Sequence, residues 1–135
     1  AEVIELAGGR NVEVESGRGG LMRVSLEQLL RWDPAVILTQ DAGFASSVRH
    51  DRDWRSVRAV REGRVLLAPA LPFGWLDGPP GMNRLMGLRW LLQRLHPDHV
   101  VWRTASSLDD MVQSFYQLFY GKALSAAQRR ELLTA

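Results

Sequence analysis

The sequence predicts an α/β fold in which a short parallel sheet is flanked by helices. Two apolar runs with β-branched members, residues 35–39 and 64–68, have the composition of strands. Segments with helical periodicity and capping residues lie before, between and after these runs, an alternation typical of parallel strands joined by helices. Because the first run is continuously apolar, we expect it to be buried on both faces of the sheet. Two strands are few for a stable sheet, so a further strand is expected upstream.

The composition is that of a globular chain without disulfide chemistry. The 135 residues fit one domain and include no cysteine, which excludes disulfides and cysteine-based metal or redox sites. Seventeen basic residues, nearly all of them arginine, stand against fifteen acidic residues, for a net charge of +2. Arginine recurs at every third position from Arg49 to Arg64, with acids interleaved. We interpret this run as solvated surface rather than as a face for phosphate or nucleic acid.

Neither a membrane span nor a signal peptide is predicted in these residues. No apolar run reaches the roughly 18 residues that a span requires. The first residues carry acids where a signal peptide has a basic segment. The chain is therefore expected to be either cytoplasmic or a processed or truncated piece.

The region before the first strand is predicted to contain a helix end, a loop and a capped helix. Residues 1–7 end a helix at a Gly-Gly pair. Residues 8–23 are glycine-rich and polar and are expected to be a loop. Ser25 begins the next helix as its N-cap, Gln28 completes a capping box, and Asp33 with the following proline ends the helix. The predicted buried face of this helix consists of Leu26, Leu29 and Leu30.

The region after the first strand is predicted to hold a loop, a short helix, the second strand, a long loop and three helices. Residues 40–47 are expected to be a loop and residues 54–60 a short helix. Residues 69–81 contain four prolines and three glycines, a composition typical of rigid and often functional loops. The last three helices are predicted over residues 82–95, 108–120 and 126–133, with Ser107 and Ser125 as N-caps.

The polar residues give no support for enzyme chemistry. His96 and His99 would bind a metal together only on one helix face, and Pro97 breaks that helix, so exposed loop histidines are expected. Asp109 and Asp110 point apart on a helix, and their interaction with the helix dipole explains them. No nucleophile has a histidine and an acid at a recognisable spacing.

The aromatic residues fall into two groups. Four have helical spacing and are predicted to pack in the core, namely Trp90, Phe115, Tyr116 and Phe119. Phe73 and Trp75 instead occupy the proline-rich loop after a predicted parallel strand, and ligands of open α/β sheets bind at that edge. We expect both rings to be at least partly exposed, as a wall for a flat or bulky ligand. The alternative, in which Trp75 folds back onto the core, stays open.

Several segments combine in a recognisable order and spacing. The first contains VSLEQLL followed by WDPAVIL, and the second contains Trp54 followed by AVREGRV. The third contains LPFGW, a Pro-Pro pair and NRLMGL, and the last contains FY followed by FYG. Together these segments resemble the helical-backbone (class III) periplasmic substrate-binding proteins, which feed ABC importers for iron–siderophore complexes, haem and cobalamin.

The resemblance implies a two-lobed protein with its ligand in the cleft between the lobes. Residues 1–135 resemble most of the carboxyl-terminal lobe as a single domain, a Rossmann-like, three-layer lobe that is expected to lack its first strand here. The implied ligand is a metal chelate (a ferric siderophore, haem or cobalamin), although some relatives carry oxyanions. The implied partner is an ABC permease. The resemblance implies that the chain itself has no enzymatic activity, no cofactor, no resident metal and no nucleic-acid partner. The implied location is periplasmic, or lipid-anchored outside the cytoplasm.

The residues predicted to bind the ligand are Phe44, Phe73, Trp75 and Arg84. The three aromatic residues follow the two strands. Arg84 would grip an anionic ligand, although a surface ion pair with a local acid is the stronger expectation. Glu27 is predicted to dock onto permease arginines, because the family presents a glutamate at this kind of Ser-x-Glu helix start. The alternatives are a nucleotide-handling α/β enzyme, for which no phosphate loop is found, and a regulatory interaction domain without a small ligand.

Overall fold

The structure, a computed structural model, describes residues 2–12, 23–76 and 81–134. The chain divides into a helical unit, Ala1–Asn11 together with Ala68–Ala135, and a sheet unit, Val12–Leu67. The single domain expected over residues 1–135 stays a prediction. Most of the loop predicted over residues 8–23 lies outside the described residues.

The described residues form seven α-helices, two β-strands and two short 3₁₀ helices. In chain order they are α1 (Glu2–Leu6), α2 (Leu26–Trp32), β1 (Ile37–Thr39), α3 (Ala42–Ser47), the 3₁₀ helix Trp54–Ser56, α4 (Arg58–Arg61), β2 (Val65–Leu67), α5 (Asn83–Leu95), the 3₁₀ helix Val100–Arg103, α6 (Leu108–Tyr120) and α7 (Ala126–Thr134). The predicted α/β class is confirmed, with a short parallel sheet accompanied by helices. None of these helices combines the length and the apolar character that crossing a bilayer requires.

The sheet consists of β1 and β2, which pair in parallel with Ile37 opposite Val65 and Thr39 opposite Leu67. Only Val65 is buried, whereas every residue of β1 is half-buried. The burial of β1 on both faces was therefore predicted wrongly. Within the described part of the chain each strand has one neighbour, so one edge of each strand is left without a covering strand.

The core of the sheet unit is a cluster of four valines, Val48, Val57, Val60 and Val65. Partly buried side chains from the surrounding elements pack against it, namely Leu26, Leu29, Ile37, Phe44 and Trp54. Arginine follows each of the first three valines and is exposed at each of these positions. The arginine run therefore lies mainly on the solvated side of this segment, as predicted.

α2 begins and ends where the sequence predicts. Ser25 Oγ accepts a hydrogen bond from the Gln28 amide at 3.1 Å, and Asp33 ends the helix in a left-handed conformation with φ of 40°. One side chain of the predicted buried face differs, because Leu30 is exposed while the other two leucines are half-buried. Because α2 has only about two turns and packs on one side, only a narrow stripe of its surface is covered.

α3 replaces the loop that was predicted over residues 40–47. The Asp41 carboxylate accepts a hydrogen bond from the Phe44 amide at 3.0 Å, and the Asp41 amide donates to Thr39 Oγ1 at 3.0 Å. Glycine costs a helix about 1 kcal/mol relative to alanine, so Gly43 weakens the sequence signal. The cap at Asp41 and the packing of Phe44 on the valine core stabilise the helix instead.

In the helical unit, α5 packs against α1 and α6, and α6 packs against α7. Trp90, Phe115 and Tyr116 are buried as predicted. Phe119 is not: its ring covers that of Phe115 at a centroid distance of 4.7 Å, and nearly half of the residue stays exposed. The last helical turn of α6 therefore extends past the core that the earlier turns enter.

Serine caps begin the last two helices as predicted. Ser107 Oγ accepts a hydrogen bond from the Asp110 amide at 3.0 Å. Ser125 and Gln128 form both bonds of a capping box, at 3.2 and 2.9 Å. Because each cap depends only on residues three positions apart, these helix starts are visible in the sequence.

Candidate functional site

The loop that follows β2 separates the two aromatic residues predicted to bind ligand. Phe73 is 51% exposed, as expected, whereas Trp75 is fully buried. The predicted exposure of Trp75 is therefore wrong, and the alternative, in which the indole folds back onto the core, describes its position. In this conformation Trp75 offers no ring surface to a ligand, which leaves Phe73 as the exposed aromatic residue of this loop.

Contacts made by the backbone of Trp75 hold this residue in the core. Its amide donates a hydrogen bond to the Pro69 carbonyl at 3.1 Å, which closes the loop. The backbone of α5 passes directly over it, because a Cβ placed on Gly87 would lie 2.0 Å from the Trp75 carbonyl oxygen. Only glycine permits that approach, because it has no Cβ. The backbone of α5 therefore packs directly against the backbone of the loop.

Three polar side chains tether the exposed turn of the loop, and we call them the Asn83 clamp: Asn83, Tyr116 and Tyr120. Asn83 Nδ2 donates a hydrogen bond to the Phe73 carbonyl at 3.2 Å, and the Tyr120 hydroxyl donates to Asn83 Oδ1 at 2.7 Å. The Tyr116 hydroxyl donates to the Leu71 carbonyl. Sequence reasoning missed Asn83, although a polar residue within the apolar pattern of a predicted helix was a signal available to it.

The environment of Tyr116 shifts its acidity. Burial raises the pKa of Tyr116 above its ordinary value of 10.0, because desolvation disfavours the phenolate, and the neighbouring Tyr120 adds to this rise. The Trp75 indole N–H lowers the pKa in part. That N–H is near enough to act on the charge, yet among the residues that the structure describes Nε1 has no partner within hydrogen-bonding distance and angle.

The raised pKa of Tyr116 predicts a loss of stability in alkali. A phenol with a folded-state pKa above its unfolded value contributes its full stabilisation below about pH 10 and loses it as the pH rises through the folded-state pKa. We expect the urea midpoint to be lower at pH 11 than at pH 9. These two pH values lie about one unit above and below the ordinary pKa of tyrosine. In Tyr116→Phe this fall should be smaller. An equal fall in both proteins would contradict the assignment to Tyr116.

Phe44 lies in the sheet unit and packs inward. Its ring meets Trp54 edge-on, with centroids 5.1 Å apart, and the side chain is half-buried against the valine core. It belongs to α3 rather than to the loop in which it was predicted. The packing of this ring accounts for its presence without a ligand, and its ligand-binding role stays a prediction.

Arg84 forms a surface ion pair, as the sequence favoured, but its partner is distant in the sequence rather than local. Its Nη2 lies 2.9 Å from Glu2 Oε2, which joins the first turn of α5 to α1. About a third of the Arg84 side chain is exposed. An anionic ligand at this guanidinium would have to compete with a carboxylate that is already in place.

Glu27 occupies the first turn of α2 and points to solvent. Its side chain is 76% exposed and pairs with Arg31, one turn later, at 2.9 Å. A surface pair of this spacing contributes little to stability. The carboxylate is accordingly accessible to a partner.

The remaining candidate polar residues form structural hydrogen bonds. His96 Nε2 lies 3.0 Å from the Ala7 carbonyl oxygen, and His99 Nδ1 accepts a hydrogen bond from the Val101 amide at 3.2 Å. Arg129 Nε donates to both carboxylate oxygens of Asp109, at 2.9 and 2.8 Å. No group of three potential ligand side chains in the described part of the chain is arranged to hold a metal ion.

Comparison with known proteins gives relatives of one kind. The fold matches an ABC transporter solute binding protein from Sulfurospirillum deleyianum with a TM-score of 0.85 and 34% identity, over 99% of this chain and 41% of that one. The sequence is 35% identical to that of the molybdate-binding protein MolA of Haemophilus influenzae over 121 residues. This alignment covers 87% of this chain and 33% of MolA. The homologues of this chain are solute-binding proteins of ABC transporters. No family model matches the chain.

Two further solved structures agree. A periplasmic solute binding protein from Veillonella parvula matches with a TM-score of 0.82 and 25% identity, over 98% of this chain and 40% of that one. MolA in its molybdate-bound form matches with a TM-score of 0.75 and 32% identity, over 92% of this chain and 37% of MolA. The chain thus spans about a third of MolA and about two-fifths of the matched structures.

These relatives support the broad expectation of a transport protein. They are solute-binding proteins and not enzymes, and those from Veillonella parvula and Haemophilus influenzae are periplasmic, in agreement with the predicted transport class and extracytoplasmic location. The predicted iron–siderophore, haem or cobalamin ligand is not what MolA binds, since MolA is a molybdate-binding protein.

Proposed function

We propose that this chain is part of the substrate-binding component of an ABC importer, which captures a small solute outside the cytoplasm and delivers it to a membrane permease. The observation that carries the proposal is the 35% identity to MolA over 121 residues. The fold supports it as well, because almost the whole chain superimposes on a solute binding protein with a TM-score of 0.85.

The first candidate cargo is a tetrahedral oxyanion of the molybdate class. MolA supports this choice, because it is related over 87% of this chain. An oxyanion is recognised by charged or neutral hydrogen-bond donors, and arginine offers a forked set of them. Arg84 is our candidate donor, and the bound anion would take the place of the Glu2 carboxylate that now lies 2.9 Å from it.

A ferric siderophore or similar metal chelate is the second candidate cargo. It is favoured by the exposed Phe73 ring, since a bulky chelate presents apolar surface that a half-exposed aromatic ring can cover. Haem and cobalamin belong to the same size class. The two candidates differ in size and in charge density, so one binding experiment separates them.

Calorimetric titration of the full-length natural protein tests the proposal. Molybdate, tungstate and sulfate form one set of titrants, and a ferric siderophore, haemin and cobalamin form the other. Binding of molybdate and tungstate but not of the chelates would support the first candidate. Binding of a chelate alone would replace it with the second, and binding of none of the six would contradict the substrate-binding function for these classes.

Phe73 is expected to contribute to cargo binding without contributing much to folding. Removing a ring that is 51% exposed leaves no buried cavity, so Phe73→Ala should shift the unfolding midpoint little. We expect cargo affinity to fall about tenfold, because the ring shields the bound solute from water and a low local dielectric strengthens its polar contacts.

Leu71→Ala is the matched control for Phe73→Ala. Leu71 lies in the same loop, is 63% exposed, and is tethered through its carbonyl rather than its side chain. Its truncation should leave cargo affinity within about twofold, the range of a surface change away from any contact. Equal losses in both variants would indicate that the loop was disturbed in general and would contradict a specific role for the Phe73 ring.

A further inference from the structure

Apart from tyrosine and tryptophan, Asn83 is the one buried residue with a polar or charged side chain among those that the structure describes, with 4% of its surface exposed. It stands at the first position of α5, in a helical unit whose other buried side chains are aliphatic or aromatic. A buried amide is costly unless its donor and its acceptor are both satisfied. Both are: Nδ2 donates to the Phe73 carbonyl, and Oδ1 accepts from the Tyr120 hydroxyl.

The chemistry at this position requires an amide. The Phe73 carbonyl needs a donor, and the Tyr120 hydroxyl needs an acceptor, and a carboxamide supplies both from one side chain. An ionised carboxylate would accept from Tyr120 but would face the Phe73 carbonyl oxygen without a proton to share. An aliphatic side chain of the same size would fill the space and hold neither group.

The Asn83 clamp tethers main-chain groups of the exposed turn. The Asn83 clamp holds the carbonyls of Leu71 and Phe73, while the side chains of both residues stay in solvent. On the other side of the turn, the Trp75 amide is bonded to Pro69. The backbone on both sides of the Phe73 ring is thus fixed to the core, and the ring has only its own side-chain rotations left.

We propose that Asn83 is a positioning residue for the Phe73 ring, with Tyr120 orienting the Asn83 amide and Tyr116 anchoring the turn at Leu71. The clamp presents the ring in one place before the cargo arrives, so that less conformational freedom is lost on binding. This inference rests on the proposed function in one respect, namely that the Phe73 ring meets the cargo.

Hydrogen exchange in the full-length natural protein measures the hold of the clamp directly. The variants are Asn83→Leu, which keeps the volume but neither hydrogen bond, and Tyr120→Phe, which removes only the hydroxyl that orients the amide. Gln117→Ala is the control, since Gln117 is an exposed residue of α6 outside the clamp. The reporter is the Trp75 amide, compared with the amides of α5 and α6 in the same sample.

We expect exchange at the Trp75 amide to rise about tenfold in Asn83→Leu and by about threefold in Tyr120→Phe, the range expected for the loss of buried hydrogen bonds. Exchange within α5 and α6 should not change. The control should match the wild type. Unchanged exchange at Trp75, or an equal rise throughout both helices, would overturn the proposal, because the clamp would then have no local effect on the loop.

Binding separates this inference from the proposed function. With molybdate as the titrant, and the ferric siderophore as the second probe, both clamp variants should lose affinity and the control should not. A loosened loop with unchanged affinity would overturn the positioning role. A wild-type protein that binds neither probe would contradict the proposed function, while the exchange rates would still decide whether the clamp holds the loop.

Discussion

Replacement of Gly87 by alanine is expected to lower the free energy of unfolding by about 3 kcal/mol, the upper end of the usual cost of overpacking. The added Cβ would lie 2.0 Å from the Trp75 carbonyl oxygen and 2.7 Å from the carbonyl carbon. Both are backbone atoms in a closed loop, so either α5 or the loop must move. The higher helix propensity of alanine, about 1 kcal/mol, offsets only part of this cost. Urea unfolding followed by circular dichroism measures the result.

Gly43→Ala is the matched control for Gly87→Ala. Gly43 is also a helical glycine, but the nearest atom to its added Cβ is the Asp41 carboxylate oxygen, at 3.1 Å. A side-chain oxygen moves by a few tenths of an ångström far more easily than a packed carbonyl does. The control should change stability by less than about 1 kcal/mol in either direction. If the two variants were equally stable, the close packing of α5 on the Trp75 backbone would be wrong.

Reversal of charge at Glu27 is expected to weaken binding to the permease at least about tenfold at low salt, because like charges placed together at an interface cost several kcal/mol. The prediction requires the full-length natural protein and its permease, and it rests on the proposed function. Glu27→Lys should leave cargo affinity and the unfolding midpoint nearly unchanged, because the side chain is 76% exposed and its ion pair is with Arg31, an exposed residue of the same helix. Binding to the detergent-solubilised permease, measured at rising ionic strength, tests it.

Glu62→Lys controls for the reversal of one exposed charge in the sheet unit. Glu62 pairs with Arg58 at 3.0 Å, again four positions apart in the sequence, so both variants break a pair of the same type. Only Glu27→Lys should impair docking, and the difference should shrink as salt shortens the screening length from about 10 Å at 0.1 M to about 3 Å at 1 M. Equal permease affinities for the two variants at low salt would exclude Glu27 as the docking residue.

Elements whose signals are local could be predicted from the sequence. The serine caps at Ser25, Ser107 and Ser125 each pair with an amide three residues later, so neighbouring residues alone specify the helix start. The two strands are continuous runs of apolar and β-branched residues, and the structure contains both, although each is three residues long. For the same reason the α/β class followed from the order of these segments.

Elements that depend on distant contacts could not be predicted in the same way. α3 has a local cap at Asp41, but its own glycine obscured that signal, and the helix is also stabilised by the packing of Phe44 on a core assembled from separate segments. Phe119 has the same helical spacing as the buried aromatic residues, yet it is half exposed, because periodicity gives a face and not the depth of packing along it. Periodicity likewise did not separate Leu30 from its half-buried neighbours.

By itself, the sequence determined the starts of the three serine-capped helices, the two strand segments and the exposure of Glu27, since each depends on residues within about one helical turn. The tertiary structure alone decided which loop residue faces solvent. Phe73 and Trp75 are two positions apart in one proline-rich loop, and nothing local distinguishes them. Gly87 admits the backbone of Trp75 to the core, and Asn83 holds the Phe73 carbonyl. Both contacts join residues ten or more positions apart, so only the packing of α5 on the loop sets one ring inside and leaves the other in water.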